Sequence, residues 1–476
     1  MRAGRGHGVA AMPAEKAKDF SGTLKRLSRY LQPWRLQLIS VFCAAVVSTA
    51  FSILSPKVVG QGITKLFEGS MLILQGVPGA SVDFVAIRQI LLLLAGLYIL
   101  SALFTYIQQY VMAGVAQKTV YTLRKDVDAK LSRLPLKFYD TQTHGEILSR
   151  VTNDVDLISS TLQQSITQLI TAVITIVGVI IMMLTISPLM TSITVLALPM
   201  GFLVTKPIIS RSQKYFVQQQ RALGQLNGHV EEMYSGHKIV KVFGREAVSI
   251  AEFEKHNDQL YNAGWRAQFI SGMIMPLINF VNNIGYILVS VVGSVLVTRR
   301  AIAIGDIQAF IQYSRQFGQP IAQTANIANI LQSTVAAAER VFELLDEPEE
   351  VSDCLEPAVL SFPRGQVQFQ DVTFGYKEDT PVIKNLNINV SQGQTVAIVG
   401  PTGAGKTTLV NLLMRFYEVD SGKITIDGVN IRDLKRGDLR SLFGMVLQDT
   451  WLFNGTIRDN IAYSRPGATA EEVIQA

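Results

Sequence analysis

Six stretches of apolar sequence, each long enough to cross a bilayer, leave this chain few ways to fold. A helix that spans hydrocarbon needs about 20 predominantly apolar residues, because inside lipid each backbone polar group must be satisfied within the segment. The first three are "LQLISVFCAAVVSTAFSILSP" from Leu36, "ILLLLAGLYILSALFTYIQQYVM" from Ile90 and "SITQLITAVITIVGVIIMMLTI" from Ser165. The others are "LMTSITVLALPMGFLVT" from Leu189, "MIMPLINFVNNIGYILVSVVGSVLV" from Met273 and "IQAFIQYSRQFGQPIAQTANIANI" from Ile307. A mean hydropathy of +0.27 with 17% charged residues is too apolar for an ordinary soluble enzyme of this length. The lipid bilayer is therefore the expected solvent for much of the molecule.

Charge orients the spans. The net charge is +6, and the basic residues cluster in two long connections rather than along a nucleic-acid groove, so no nucleic-acid partner is expected. Lys118, Arg124, Lys125, Lys130, Arg133 and Lys137 lie between spans two and three, and Lys206, Arg211, Lys214, Arg221, Lys238 and Lys241 between four and five. The connections on the other side are shorter and poorer in basic residues, although Arg299 and Arg300 run against the trend. Both loops and both termini are expected on the cytosolic side. The segment "RYLQPWR" before the first span reads as an amphipathic elbow at the interface. The N-terminus has no apolar core of a cleaved signal. Cys43, Cys354 and the five histidines have no metal-ligand or disulfide spacing.

Helical patterning continues past the bilayer in both long loops. At the tip of the first, Thr143 and Glu146 have capping-box spacing and predict a new short helix. The second carries "YSGHKIVKVFGRE", whose Ile239, Val240, Val242 and Phe243 give an apolar face that needs a docking partner. After the sixth span, "FELLDE" imitates an apolar strand with a catalytic acid, but its helical pattern and the acidic, Pro348-broken stretch behind it predict a helix end.

From Gly365 the period changes. "QVQFQDVTF" and "LNINV" alternate as strands, and "TVAIVG" is a short apolar run of the buried-strand kind. It leads into "GPTGAGKTTLVN", residues 400–411, which matches the phosphate-loop pattern in full. Gly403 and Gly405 let the backbone curl so that successive N–H groups face phosphate oxygens, and the following helix adds its positive end. Gly400, Pro401, Thr402, Ala404 and Thr408 complete the candidate nucleotide-binding set. Lys406 supplies a point charge for the β and γ phosphates, and the Thr407 hydroxyl is a ligand for Mg²⁺.

Six spans with long cytosolic hairpins followed by this loop resemble the ABC exporter family, from about residue 20 to the end of the chain. The closest likeness is to half-transporters of bacterial heterodimeric multidrug exporters. Tyr376, 24 residues before the loop, falls where the family has an aromatic that stacks on adenine. Gln448 in "GMVLQDTWLF" falls at the Q-loop, whose glutamine touches Mg²⁺ and the attacking water. "PLKFYDTQTHGEILSRVTNDVD" and "GHKIVKVFGRE" resemble the two coupling segments, about residues 134–158 and 232–248. The resemblance implies ATP and Mg²⁺ as cofactors. It implies an exporter-type transmembrane domain of six helices over residues 21–335, behind a cytosolic tail at 1–20. A linker at 336–364 and an incomplete α/β P-loop nucleotide-binding domain at 365–476 follow. It also implies a multi-pass protein of the plasma membrane and a second half-transporter as partner, identical or not.

The family's LSGGQ signature, its acidic strand with a catalytic glutamate, and its switch histidine all lie beyond the Q-loop, and none occurs in these 476 residues. No catalytic residue is therefore assigned. In "GATAEEVIQA", Thr469 and Glu472 have capping-box spacing and start a helix at the chain's end. The expectation is a truncated chain that binds nucleotide weakly and hydrolyses almost none.

The transport pathway has its own signal. Gln312, Arg315, Gln316, Gln319, Gln323 and Asn326 fall at offsets 0, 3, 4, 7, 11 and 14, one polar stripe on a helix. Asn279, Asn282, Asn283 and Tyr286 form a similar face on the fifth span. No Asp or Glu lies within the spans, which disfavours a proton-driven carrier. The expected function is ATP-driven export of a small amphipathic substrate, a drug or a lipid. The alternative is a nucleotide-gated channel or sensor that does not pump.

Overall fold

The computed structural model describes residues 17–377, 380–447, 451–465 and 467–476. The chain divides into two compact units, one formed by residues up to Asp128 with Leu148–Asp346, the other by Ala129–Ile147 with Glu347–Ala476.

The first unit is helical throughout. A short α1 (Phe20–Leu31) turns at Gln32–Trp34 into α2 (Arg35–Leu74), and α3 (Phe84–Leu131) follows. The chain then passes through the second unit, which holds α4 (Leu136–Thr141) and the start of α5 (His144–Ser149), before α6 (Val155–Ser160) and α7 (Ile166–Ile186) resume the first. Beyond them lie α8 (Pro188–Ser235), α9 (His237–Val242), α10 (Glu246–Gly272), α11 (Ile274–Thr298) and α12 (Ile304–Asp346). With 48 residues each, α3 and α8 are roughly 70 Å long at 1.5 Å per residue. That exceeds the ~30 Å of a hydrocarbon core, so more than half of each helix runs outside it.

Among the described residues, five helical stretches are long and apolar enough to cross a membrane, and they contain the first five expected spans. The sixth expected span lies in α12, which has the length, at 43 residues, but not the apolarity. Its glutamines and Arg315 lower the hydropathy that its neighbours have.

Side chains from α2, α7, α8, α11 and α12 build the core of this unit, including Ile53, Val179, Met183, Met190, Val289 and Phe310. Tyr313, fully buried there, donates its hydroxyl proton to the Ile53 carbonyl at 2.7 Å, next to Pro56 inside α2. Two π-helical turns, Arg150–Asp154 and Thr161–Ser165, interrupt the run from α5 to α7. Such turns shift a side chain off the regular helical face. Here they present buried Asp154 and Thr161 to α12, where Arg340 forks onto Asp154 at 2.9 and 2.6 Å and Thr334 meets Thr161 at 2.6 Å.

The second unit carries a sheet ordered β2-β1-β3-β4, antiparallel throughout. It comprises β1 (Val367–Phe374), β2 (Ile383–Val390), β3 (Ser421–Ile426) and β4 (Val429–Asn430). Phe369 pairs with Ile388 on one side and Ile424 on the other. The helix α13 (Lys406–Leu413) packs Leu409 and Leu412 onto Phe374, Ile383 and Ile424. Shorter helices α14 (Arg436–Ser441), α15 (Ile457–Ile461) and α16 (Ala470–Gln475) follow. Thr469 caps α16 in a reciprocal box with Glu472, as its spacing predicts, and Thr456 does the same with Asp459 at α15.

One expected strand is absent. "TVAIVG" has no regular structure, and Val399 is 87% exposed. A buried parallel strand needs neighbours for its ladder and cover for both faces. Among the described residues no strand lies beside this segment, so its apolar side chains stand in the open.

Candidate nucleotide site and membrane cavity

The phosphate loop has the backbone that its glycines permit. Gly403 and Gly405 have φ of +86° and +89°, a region that side chains disfavour. At Gly405 a Cβ would also come 2.8 Å from Ile383 Cδ1, so the loop is seated against β2. Gly405 is the N-cap of α13, whose first turn faces the loop with free N–H groups and the positive end of its dipole. Lys406 folds back, its Nζ donating to the carbonyls of Gly400 at 2.8 Å and Pro401 at 2.9 Å. Gly400, Pro401, Thr402, Gly403, Ala404 and Thr407 are exposed around it.

Thr408 is turned the other way. It is buried, and its hydroxyl lies 3.1 Å from that of Tyr376. The Tyr376 ring meets Phe374 and Tyr417 edge-on, each at 5.1 Å between centroids, yet remains 39% exposed. Tyr417 in turn donates its hydroxyl proton to the carboxylate of Asp140 on α4. Burial first, and then the bond to Asp140, push the Tyr417 phenol well above its ordinary range, so it remains a donor. Leu136, also on α4, packs against the same apolar cluster. Thr408, Tyr376, Tyr417 and Asp140 thus form one connected row from α13 to α4.

Sequence reasoning missed Tyr417 and Asp140. The string "RFYEVD" holds the aromatic, but nothing local in it points to a partner 277 residues earlier. Gln448 lies outside the described residues.

Below Tyr417 a charged network braces the unit. Buried Arg415 bonds Glu418 at 2.8 Å, and Arg432 and Arg436 converge on the same carboxylate at 3.0 Å each. Burial pushes Glu418 up, but Arg415 and then Arg432 more than reverse this, and its carboxyl titrates below the usual range.

In the first unit, α8, α11 and α12 line an open cavity of about 1160 Å³. Asn279, Asn282, Asn283 and Tyr286 reach it from α11, and Arg315 and Gln319 from α12. Gln312 and Gln316 do not line it, and the side-chain Oε1 of Gln316 is buried without a hydrogen bond among the described residues. The polar stripe of α12 is therefore split. Residues 311, 314–315, 317–319 and 321 reach the cavity, while buried Tyr313 keys α12 into the core and Phe317 borders both.

At the second hairpin tip, Ile239, Val242 and Phe243 are 65%, 79% and 73% exposed. Thr143 caps the helix at the first tip, accepting from the Glu146 N–H at 3.3 Å.

Comparison with known proteins agrees with this architecture. Residues 38–321 match the ABC transporter transmembrane region and residues 383–476 match the ABC transporter family's ATP-binding part. The chain is similar to the "Fatty acid ABC transporter ATP-binding/permease protein" of Mycobacterium bovis, at 45% identity over 98% of this chain and 78% of that protein. It is 43% identical to the "Uncharacterized ABC transporter ATP-binding protein YfiC" of Bacillus subtilis, over 96% of this chain and 74% of that one. At 31% identity it resembles the "Putative multidrug export ATP-binding/permease protein YgaD" of Bacillus subtilis, over 96% and 78%. Since both parts match and these relatives run through both, the chain belongs to the ABC transporters, as an exporter-type half-transporter with a permease fused to an ATP-binding domain.

Proposed function

We propose that this chain is one half of a dimeric, ATP-driven exporter of amphipathic or hydrophobic molecules, drugs or lipids, in the plasma membrane. The observation that carries this reading is the positive-φ loop around Lys406, with the exposed Tyr376 tied beside it, in a chain that also holds a large membrane-domain cavity. Relatives named for fatty acids and for multidrug export support an amphipathic cargo.

The residues fit a magnesium nucleotide. Tyr376 stacks on the adenine, a contact worth roughly 1–3 kcal/mol in aromatic–base pairs. The backbone from Gly400 to Gly405, with Lys406, holds the phosphates, and Thr407 and Gln448 serve Mg²⁺. Thr408 joins this set and also holds Tyr376. The transmembrane domain spans residues 21–335 and the nucleotide domain begins at 365, with the linker at 336–364 between them. The nucleotide domain, the N-terminus and the coupling tips at about 134–158 and 232–248 are cytosolic. The apolar tip at Ile239 and Phe243 docks on the nucleotide domain of the partner half-transporter, which is a second copy or a sibling chain. Hydrolysis draws on the signature loop, acidic strand and switch histidine of the family, so tests use the complete polypeptide with its partner.

The deciding measurement is uptake into inside-out proteoliposomes. Accumulation of an amphipathic dye against its gradient, lost in Lys406→Ala, is the expected outcome. Downhill flux that persists with a non-hydrolysable ATP analogue would instead identify a nucleotide-gated channel and overturn the pump.

A further inference from the structure

Among the described residues that line the cavity between α8, α11 and α12, Arg315 carries the single formal charge, and none is an aspartate or glutamate. Among the described residues Arg315 makes no hydrogen bond or ion pair. It stands 11 residues from the start of α12, roughly 16 Å along the helix, so it is not at a helix end. A guanidinium in a membrane-spanning helix costs about 2.5–3.5 kcal/mol at the helix centre even on the mildest scale, and it is kept where it meets an anion or lines a pathway.

The surroundings define the anion. Asn279, Asn282, Asn283 and Tyr286 follow one another at offsets 0, 3, 4 and 7 on α11, one face of neutral donors and acceptors beside one cation. Phe202, Met275, Ile278 and Ile321 supply apolar wall. The cavity exceeds the roughly 300–1,000 Å³ of pockets for drug-sized ligands, so it has room for a long chain as well as a headgroup. A guanidinium grips a carboxylate in two parallel hydrogen bonds. With no acid in the lining, a cationic amphiphile would meet repulsion and no compensating charge.

We propose that this cavity selects amphiphiles with one negatively charged headgroup, a fatty carboxylate being the match, with Arg315 as the headgroup ligand and the apolar wall holding the acyl chain. This rests on the cavity being the transport pathway of the proposed exporter. It narrows the cargo from amphiphiles in general to monoanionic ones.

Binding without nucleotide tests it separately from pumping. The complete polypeptide with its partner, in phosphatidylcholine nanodiscs, is titrated with radiolabelled oleate, and oleyl alcohol, oleylamine and oleoyl lysophosphatidate serve as competitors. Saturable oleate binding should weaken by roughly tenfold or more in Arg315→Gln and recover in large part in Arg315→Lys, which retains the charge. Thermal unfolding of Arg315→Gln at the wild-type temperature shows that the fold is intact. Oleyl alcohol and oleylamine should compete poorly. The proposal is overturned if wild type binds no oleate, if Arg315→Gln binds it as well as wild type does, or if oleylamine displaces it as readily as unlabelled oleate. Displacement by lysophosphatidate at lower concentrations than oleate overturns the carboxylate assignment in favour of a phosphate headgroup. Arg315-dependent binding without ATP-driven uptake of any amphiphile would leave this inference standing and sink the exporter. Uptake of a cationic dye with oleate inert would do the reverse.

Discussion

Tyr417 does two jobs with one side chain. Its ring packs edge-on against Tyr376, the candidate adenine platform, and its hydroxyl reaches Asp140 on α4. Tyr417→Phe retains the first and deletes the second. A hydrogen bond to a charged group contributes about 1.5–3 kcal/mol, so α4 should loosen while the sheet remains intact. Hydrogen exchange should quicken over Leu136–Thr141 and stay unchanged over β1. Equal protection of that helix in both proteins would show that the bond holds nothing. Glu418, three residues after Arg415, allows a test against pH. Because its folded-state titration is lowered, its contribution is present above the ordinary carboxylate range and is lost as pH falls through the depressed value. Glu418→Gln should therefore be less stable than wild type near neutrality, and the gap between their unfolding temperatures should close as the solution is acidified. These residues explain what a linear reading misses. The phosphate loop is legible because its parts are consecutive, so spacing alone identifies them. The Tyr417–Asp140 bond joins segments that only the folded unit brings together, and neither residue has a local pattern to mark it.

Elements were legible where their own period decides their structure. Long helices follow from apolar runs, the caps at Thr469 and Thr143 from a three-residue spacing to a glutamate, and β1 and β2 from alternation. "TVAIVG" was misread because an apolar run becomes a strand only where something pairs with it. The π-turns that aim Asp154 and Thr161 at α12 gave no signal, since one extra residue per turn hardly disturbs a hydrophobic pattern. Packing between elements is hidden for a similar reason. Gly60 on α2 and Gly305 on α12 bring two backbones together, and a Cβ on Gly305 would come 1.7 Å from the Gly60 carbonyl oxygen and 2.5 Å from Thr64 Oγ1. Thr64 Oγ1 also accepts from the Gly305 N–H and donates to the Gly60 carbonyl, each at 3.1 Å. Close approach at small residues is a main means by which helices associate in lipid. Overpacking such a contact costs about 1–3 kcal/mol, so Gly305→Ala should lower the unfolding temperature in detergent. Gly96→Ala, where a Cβ meets nothing within 4 Å, should leave that temperature where it is. Equal behaviour of the two variants would remove the close approach as a structural requirement.

At the scale of the whole molecule, the second hairpin tip leaves a group of apolar residues in the open. Tyr234, at 85% exposure, joins Val242 and Phe243 there, and side chains of this kind left in water forgo about 25 cal/mol per Å² of burial. A half-transporter acquires its second half by association, and this tip is where the exporter reading requires contact with the partner's nucleotide domain. The consequence separates coupling from binding. Phe243→Ser removes apolar area far along the chain from Tyr376 and Lys406, so photolabelling by an azido-ATP analogue should be unchanged. What should fall, by roughly tenfold or more if a buried aromatic anchor is lost, is cargo uptake per ATP hydrolysed in proteoliposomes. A structural role confined to this chain would have another signature, a lower unfolding temperature with the ratio of uptake to hydrolysis intact. If Phe243→Ser lowers both activities in proportion, the tip stabilises the protein without transmitting anything. If uptake alone collapses, the force that ATP generates passes through Phe243.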